Sequence, residues 1–302
     1  MLDKKRKENL YFIGDIHARE DKLNDVLKVI NFDTNNSSSS CAGGQIVFIG
    51  DLIDNHPKYS SAHLALLNQV ESLVNNNHAF CIMGNHEFNA IGWATKKQND
   101  DCARPHTENN YKQHNAFLDC VEECSSEHKR WITWFKSLPL FLDFGSIRAI
   151  HACWDEEAIK CITPYLNKDN SLKEEHWESA FDETHELYAL CEILLKSPER
   201  DAAEPFVDKT GKTRTKERIQ WWNDPEYAEP TIPTVIGHYT ITDLSGYGLS
   251  QLGSPITLSN KVVCVDYNAA KDHNPLVCYQ FNQSTCGNTS NLSNENFHYI
   301  KN

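Results

Sequence analysis

The sequence predicts an α/β fold in which a mainly parallel sheet is covered by helices. Short apolar runs alternate with segments whose apolar residues recur at helical spacing, and a polar motif follows each run. The chain has 302 residues, of which 40% are hydrophobic, so it can bury a sizeable core. We expect a single domain, residues 1–302, that carries insertions, although two domains are also compatible with this length.

The first half of the chain contains three predicted strands, at residues 10–13, 46–49 and 79–83. Amphipathic helices separate them. The apolar face of the first helix is formed by Leu23, Val26, Leu27 and Ile30, and that of the second by Leu66, Leu67, Val70, Leu73 and Val74. Residues 33–44, rich in Asn, Ser and Gly, are predicted to form a loop.

Two polar segments interrupt this pattern and are predicted to be cap insertions, at about residues 88–130 and 155–230. Neither shows the alternation typical of a strand, and the second is expected to be helical or irregular. Further strands are predicted at residues 146–150, 234–236, 261–265 and 276–281. The Asn- and Ser-rich residues 282–302 are expected to form a loosely held polar tail.

The composition argues against several classes of protein. A formal net charge of −13 disfavours broad binding to nucleic acid or to acidic membrane surfaces. No apolar run approaches the roughly 20 residues of a membrane span, and the basic first residues lack the apolar stretch of a secretory signal. The eleven cysteines are scattered without C-x-x-C pairs. We expect a cytoplasmic protein that binds neither nucleic acid nor membrane, in which an anionic substrate needs a locally positive site.

Polar residues follow five of the predicted strands: Asp15 and His17, Asp51 and Asp54, Asn85 and His86, His151, and His238. Ligands bind beyond the carboxyl ends of the strands in such sheets, so we expect these side chains to converge on one crevice. Four of the five motifs contain a glycine before the polar residue, which allows the backbone to approach a bound ion closely.

This set of donors predicts a centre of two divalent cations. Asp15 and His17 are alternate residues at a strand end, so both can bind one cation. Asp51 would bridge to the second cation, whose other ligands would be Asn85, His151 and His238. Carboxylate, amide and imidazole donors suit manganese, iron, zinc or magnesium, of which we expect manganese. Two such ions, about 3.5 to 4 Å apart, can bind both the attacking and the leaving oxygen of a displacement at phosphorus.

The motifs GDIH, GDLID, GNHE, an isolated His after a strand, and GHY occur in this order. In this arrangement the chain resembles the calcineurin-like metallophosphoesterases, above all the phosphoprotein phosphatase branch and its bacterial relatives. Residues 134–140, WFKSLPL, are also similar to that branch. The resemblance covers residues 10–267 apart from the cap, and five ordered motifs are much more specific than one. It implies an αββα sandwich of two mixed sheets flanked by helices, with helical cap insertions.

The resemblance also implies roles for the motif residues. The implied metal ligands are Asp15, His17, Asp51, Asn85, His151 and His238. His86 would protonate the leaving oxygen and Asp54 would orient it, which agrees with the need of an alkoxide leaving group for a proton. The implied reaction is hydrolysis of a phosphomonoester, either a phosphoprotein or a small molecule, by a metal-bridging hydroxide without a covalent enzyme intermediate.

One departure from the family concerns the binding of phosphate. The phosphoprotein branch has Arg directly after the GDxxD motif, where this chain has Asn55 and therefore lacks a guanidinium. Arg214 or Arg218 is a candidate replacement, although both lie in a charge run of the kind that commonly forms a solvated face. With Asn85 they belong to the predicted substrate-binding residues.

A second departure is Trp154, three residues after His151, which is predicted to contact the substrate. Trp221 and Trp222 are more typical of a core, but as stacking platforms they would favour the alternative activity, hydrolysis of a dinucleoside polyphosphate. A second alternative is a metal-binding scaffold without turnover. Glu87 is predicted to lie at the surface or at a helix start, and the oligomeric state is left open.

Overall fold

The computed structural model describes residues 9–32, 44–97, 100–207, 211, 213–228, 230–241, 255–284 and 291–300. The described helices are α1 (Glu20–Val29), α2 (Ala62–Asn75), α3 (Asn85–Ala94), α4 (Glu108–Val121), α5 (Ser126–Lys136), α6 (Glu156–Ile162) and α7 (Glu186–Lys196). The described strands are β1 (Asn9–Ile13), β2 (Gln45–Phe48), β3 (Ala79–Cys81), β4 (Phe141–Asp143), β5 (Arg148–Ile150), β6 (Glu199–Val207), β7 (Thr213–Arg218), β8 (Thr234–Ile236), β9 (Val262–Cys264), β10 (Cys278–Asn282) and β11 (Phe297–His298).

Nine of these strands form two mixed sheets. The first has the order β11-β10-β1-β2-β3, in which β1, β2 and β3 are parallel and β10 is antiparallel to β1. The second has the order β4-β5-β8-β9, in which β5, β8 and β9 are parallel. Strands β6 and β7 pair separately as an antiparallel hairpin. The predicted α/β architecture of two mixed sheets flanked by helices is confirmed.

The two sheets pack face to face. Alternate side chains of each strand point to opposite faces, so one set packs between the sheets and the other set packs against the helices. On β1, Leu10 and Phe12 join a cluster that also contains Ala149 and Val235 from the second sheet. Ile13, on the opposite face of β1, joins the larger cluster that includes the helices. The motif-bearing strands are therefore fixed on both faces by apolar packing.

The carboxyl ends of the parallel strands carry the motif residues. Strands β1, β2 and β3 end shortly before Asp15, Asp51 and Asn85 in the first sheet, and β5 and β8 end directly or closely before His151 and His238 in the second. Parallel neighbours end at the same edge of a sheet, so each sheet presents its motifs at one edge.

The second cap segment contains more strand than the sequence predicts. In addition to α6 and α7 it includes the hairpin β6–β7, where nearly every residue is exposed. A ribbon without a buried face has no apolar alternation, so the sequence pattern does not reveal it. The first cap segment, residues 88–130, is mainly helical, with the rest of α3, all of α4 and the start of α5. The three-residue strand β4 is also absent from the prediction.

The C-terminal segment differs from the loosely held tail expected at residues 282–302. Strand β11 pairs with β10, and Leu292 is buried against the core between the sheets. The predicted loop at residues 33–44 lies outside the described residues, apart from Gly44. Within the described ranges, no helix is long and apolar enough to cross a membrane, and no disulfide links the described cysteines.

Replacing Phe12 with Ala should lower the free energy of unfolding by about 3 to 5 kcal/mol, because the ring is fully buried between the sheets and its loss leaves a cavity. Denaturant unfolding measures this difference. Phe206→Ala in the hairpin is the matched control: its side chain is 42% exposed, so the change should stay below about 0.5 kcal/mol. Equal losses in the two variants would contradict the face-to-face packing.

Candidate metal centre

Asp51 lies at the centre of the side chains that the strand ends bring together. Its Oδ1 is 3.5 Å from His151 Nε2, and its Oδ2 is 4.0 Å from His17 Nε2 and 3.8 Å from His86 Nε2. Two groups offer metal-ligand atoms within 4.8 Å of one another: His17, Asp51 and His86, and Asp51, His151 and His238. Because Asp51 belongs to both groups, the geometry supports its predicted position between two cations.

Three of the histidines are held by backbone carbonyls. His17 Nδ1 is 2.9 Å from the carbonyl oxygen of Ile53, His151 Nδ1 is 2.7 Å from that of Ile49, and His238 Nε2 is 3.1 Å from that of Lys196. An imidazole that donates one N–H to a carbonyl presents the lone pair of its other nitrogen, which is the usual arrangement of a metal-binding histidine. In each case this second nitrogen faces Asp51 or Asn85.

Asn85 provides a test of whether a cation fits. Its Oδ1 is 2.7 Å from His238 Nδ1 and 3.0 Å from His151 Nε2. Burial, and then the positive charges of Arg218 and His151, lower the pKa of His238 well below its usual value, so this ring is neutral. With its proton on Nε2, His238 directs a lone pair at an amide oxygen. A cation between these two acceptors would remove the repulsion, so the donor set fits a metal ion.

Asp15 is a second residue whose surroundings favour a bound cation. Its Oδ2 accepts a hydrogen bond of 3.0 Å from the backbone N–H of His238, whereas its buried Oδ1 has no hydrogen-bond partner among the described residues. Burial, followed by the negative charges of Asp266 and Asp51, raises the pKa of Asp15 well above its usual range. A buried carboxylate without a counter-charge is costly, and a bound dication would supply that charge.

The charges of Asp51 and the histidines support one another. Burial alone would raise the pKa of Asp51, but His151 and His86 outweigh it and lower this pKa well below the usual range. In return, Asp51 raises the pKa of His151 against the opposing effect of burial. Asp51 is therefore ionised, as a bridging ligand must be.

Several residues of the site have backbones in the left-handed region. The φ angles are 49° at His17, 51° at Asp51, 66° at Asp54 and 64° at His238. Such conformations are costly for residues with a Cβ, and they persist where the surroundings impose them, frequently at functional sites. Gly50 has φ 87°, and a Cβ there would lie 2.3 Å from the backbone nitrogen of Gly84, so only glycine fits between the second and third motif loops.

Glu87 is buried, which corrects the surface half of its prediction, while its place in the first turn of α3 agrees with the other half. Its carboxylate accepts hydrogen bonds from the backbone N–H groups of Asp51 at 2.9 Å, Leu52 at 2.8 Å and Gly84 at 3.0 Å. Burial and the charge of Asp51 raise the pKa of Glu87. Glu87 thus connects the loop that carries Asp51 to the loop that carries Asn85.

His86 differs from the other histidines because a carboxylate holds it. Its Nδ1 is 2.7 Å from Asp54 Oδ2, and the other oxygen of Asp54 is 2.8 Å from Nδ1 of the fully buried His114. Burial alone would raise the pKa of Asp54, but His114 and His86 lower it well below its usual range. His114 lies on α4, 60 residues from Asp54 and outside every motif, so this contact could not be predicted from the sequence.

Asn55, in the position where the related phosphatases have Arg, has a structural contact. Its Nδ2 donates a hydrogen bond of 2.6 Å to the carbonyl oxygen of His17. This contact connects the loop after β2 to the loop after β1, where His17 has its left-handed backbone. Asn55 therefore supports the position of a candidate ligand.

A cavity of about 720 Å³ lies beside the candidate ligands and is lined by Asn85, His86 and His238, among others. Arg214 and Arg218, both predicted to bind substrate, line the same cavity. Such a volume suits a small-molecule site.

Arg104 also lines this cavity, although the sequence did not single it out. Its Nη2 donates to the side-chain oxygens of Asn110 at 3.2 Å and Gln113 at 2.9 Å. Its buried Nη1 has no hydrogen-bond partner in the described part of the chain. Arg104 follows α3 in a segment without a recognisable motif, so only the fold brings it close to His86.

The tryptophans lie apart from this cavity. Trp154 lines a separate cavity of about 550 Å³, with acidic residues such as Asp155 and Glu226. Trp221 is 2% exposed and donates its indole N–H to the carbonyl oxygen of Ala152, and Trp222 is 5% exposed. The structure therefore does not bring the tryptophans together with the candidate ligands.

Comparison with known proteins identifies the family. The sequence profile of the calcineurin-like phosphoesterases matches residues 9–270. No curated protein matches the sequence significantly. A cold-active protein-tyrosine phosphatase of a psychrophile, Shewanella sp., shares 14% identity over 98% of this chain and 81% of its own, with a TM-score of 0.52. A protein serine/threonine phosphatase from Saccharomyces cerevisiae, described as similar to human phosphatase PP5, shares 14% identity over 99% of this chain and 82% of its own, also with a TM-score of 0.52. These structures share the fold, and with the profile matching most of its length the chain belongs to the calcineurin-like phosphoesterase family.

Proposed function

We propose that this protein is a dinuclear metal-dependent phosphatase that hydrolyses phosphomonoesters of a phosphoprotein or a small molecule. Membership of the family indicates hydrolysis of phosphoesters. The observation that carries the proposal is the junction at Asp51, whose carboxylate lies between His17 and His86 in one group and His151 and His238 in the other. A scaffold that only binds metal would not require the His86–Asp54 pair.

The proposed ligands are Asp15 and His17 for one cation, Asn85, His151 and His238 for the other, and Asp51 for both. Two divalent cations bound there, manganese being our expectation, activate water as a nucleophile and neutralise the charge of the phosphate. The protein contributes rigid placement of the donors, because the three histidines are oriented by backbone carbonyls and Glu87 holds two of the motif loops together.

His86 is the proposed general acid for the leaving oxygen. Burial would lower its pKa, but Asp51 and the hydrogen bond to Asp54 raise it to about 9. The ring is therefore protonated at neutral pH and can donate a proton from Nε2 while Asp54 holds Nδ1. The side chain of His86 is 25% exposed, compared with 3% for Asp54, so it is the member of the pair that a substrate can reach.

Arg104 is the proposed replacement for the guanidinium that is absent at Asn55. Asn110 and Gln113 fix one end of its fork, and Nη1 is left for a further acceptor. Nη1 is therefore the proposed donor to a phosphate oxygen of a substrate beside His86. The burial of Trp221 and Trp222 removes the stacking argument for a dinucleoside substrate.

The central test compares two variants. His86→Asn should retain both metal ions but lower kcat about 10²- to 10⁴-fold, because the general acid is lost. Asp51→Asn should bind fewer than two ions and lose activity, because the shared ligand is lost. Elemental analysis combined with phosphate release from 4-nitrophenyl phosphate and a phosphopeptide measures both effects. Full activity in either variant would refute the proposal, and wild-type inactivity with metal bound would favour the scaffold.

The alkaline limb of the pH profile of kcat/KM should shift to lower pH in Asp54→Asn. The hydrogen bond to Asp54 raises the pKa of His86, so His86 stays protonated to higher pH in the wild type and loses its proton earlier in the variant. Asp25→Asn, an exposed change of the same chemistry, should leave the profile unchanged. An unshifted limb in Asp54→Asn would exclude His86 as the titrating acid.

Arg104→Lys should raise KM for a single-phosphate substrate about tenfold, with less effect on kcat and none on metal content, because a single ammonium group cannot keep the hydrogen bonds to Asn110 and Gln113 and also donate to phosphate. Steady-state kinetics at constant ionic strength measures this change. Arg130→Lys, an exposed Arg outside the cavity, is the matched control. A normal KM in Arg104→Lys would remove Arg104 from the binding site.

A further inference from the structure

Strand β7 presents positive side chains to the cavity at alternate positions. Arg214, Lys216 and Arg218, here called the basic stripe, all line the cavity beside the candidate metal centre. Alternate residues of a strand share a face. Glu217 points to the other face, where it accepts a hydrogen bond of 2.9 Å from Arg200 of β6. The pairing of β6 with β7 thus fixes the direction of the stripe.

The stripe extends outward from the candidate metal centre. Its inner end is Arg218, whose guanidinium lies over the ring of Tyr239 at 5.6 Å, next in sequence to the candidate ligand His238. Arg214 lies four residues along the strand, a distance of about 13 Å at the usual rise per residue. A single phosphate at the metal centre cannot reach both ends, so the stripe suits an anion that extends away from the scissile group.

The balance of charge in the cavity favours a multiply charged anion. Five basic side chains line it, Arg104, Lys196, Arg214, Lys216 and Arg218, compared with two acidic ones, Glu192 and Glu199. Lys196 pairs with Glu192, and in the hairpin Glu199 lies opposite Arg218 and Asp201 lies opposite Lys216, so basic side chains remain in the majority around the cavity. In a chain with a net charge of −13 this is a local reversal of sign.

We infer that the basic stripe binds a second phosphate group of the substrate, so that the preferred substrate is a small molecule with two or more phosphates. This inference rests on the proposed phosphatase activity, which places the scissile phosphate at the metal centre. The size of the cavity favours a small molecule over a protein chain. A phosphopeptide with acidic flanking residues is the competing ligand.

The test measures binding of inorganic tripolyphosphate and of orthophosphate to the metal-loaded protein by calorimetry, at fixed free metal and ionic strength. The wild type should bind tripolyphosphate at least about tenfold more tightly. Lys216→Gln should weaken the binding of tripolyphosphate about tenfold and the binding of orthophosphate much less, since one charged hydrogen bond is lost. Adding Arg214→Gln should widen this difference. Lys168→Gln removes the same charge from an exposed site outside the cavity and should affect neither ligand.

Equal losses for both anions in Lys216→Gln, or no loss for either, would overturn the inference. A tenfold loss of affinity in Lys216→Gln that is confined to an acidic phosphopeptide, measured in parallel, would also overturn it. The basic stripe would then bind acidic protein segments. Hydrolysis of 4-nitrophenyl phosphate by the wild type separates the two claims. If hydrolysis occurs but the two anions bind equally, the second-phosphate site fails alone; if selective binding occurs without hydrolysis of any phosphoester, the proposed activity fails.

Discussion

The carboxylate of Glu87 is the contact on which the site depends. It accepts hydrogen bonds from backbone N–H groups of the loop after β2 and of the loop after β3. These two loops approach so closely that only glycine fits at position 50. Without the Glu87 carboxylate, several buried N–H donors would lose their acceptor and Asp51 would lose its orientation relative to Asn85. The position of the candidate shared ligand Asp51 is therefore set by a residue outside the set of candidate ligands.

The same region concentrates negative charge, which has a functional consequence. Asp15, Asp51, Glu87 and Asp266 act on one another through buried space, and the pKa values of Asp15 and Glu87 rise as a result. His86 and His151, whose pKa values are raised, offset part of this charge, whereas His238 is neutral. A counter-ion would offset such buried like charges, so this region fits the divalent metal ions that the family implies. The basic side chains stand further out, where a phosphate ester would enter.

The fold and the meeting of the motif side chains could be predicted because both follow from local rules. Strand periodicity located β1, β2 and β8, and a polar residue after each strand end identified the donors. The hairpin β6–β7 could not be predicted, because its residues face solvent and carry no apolar alternation. His114 and Arg104 were missed for another reason: His114 contacts Asp54, 60 residues away, and Arg104 lines the same cavity as His86, so α3 and α4 must first be positioned in three dimensions. Glu87 was predicted at a helix start, but its burial depends on two loops that meet only in the folded chain.

The residues of the site come from two parts of the fold, the strand ends and the cap segments. The candidate metal ligands come from the ends of core strands, where packing on both faces fixes the backbone. Arg104, His114 and the basic stripe come from the cap segments, which contact that core from one side. A change in a cap side chain that lines the cavity would therefore alter which phosphate compound fits, whereas a change at the strand ends would alter the proposed reaction itself. His86 is where the two meet, because Asp54 from a strand-end loop holds its ring while His114 from the cap holds Asp54. The orientation of the proposed general acid His86 thus depends on the position of α4. A shift of this cap helix would disturb the protonation of the leaving group.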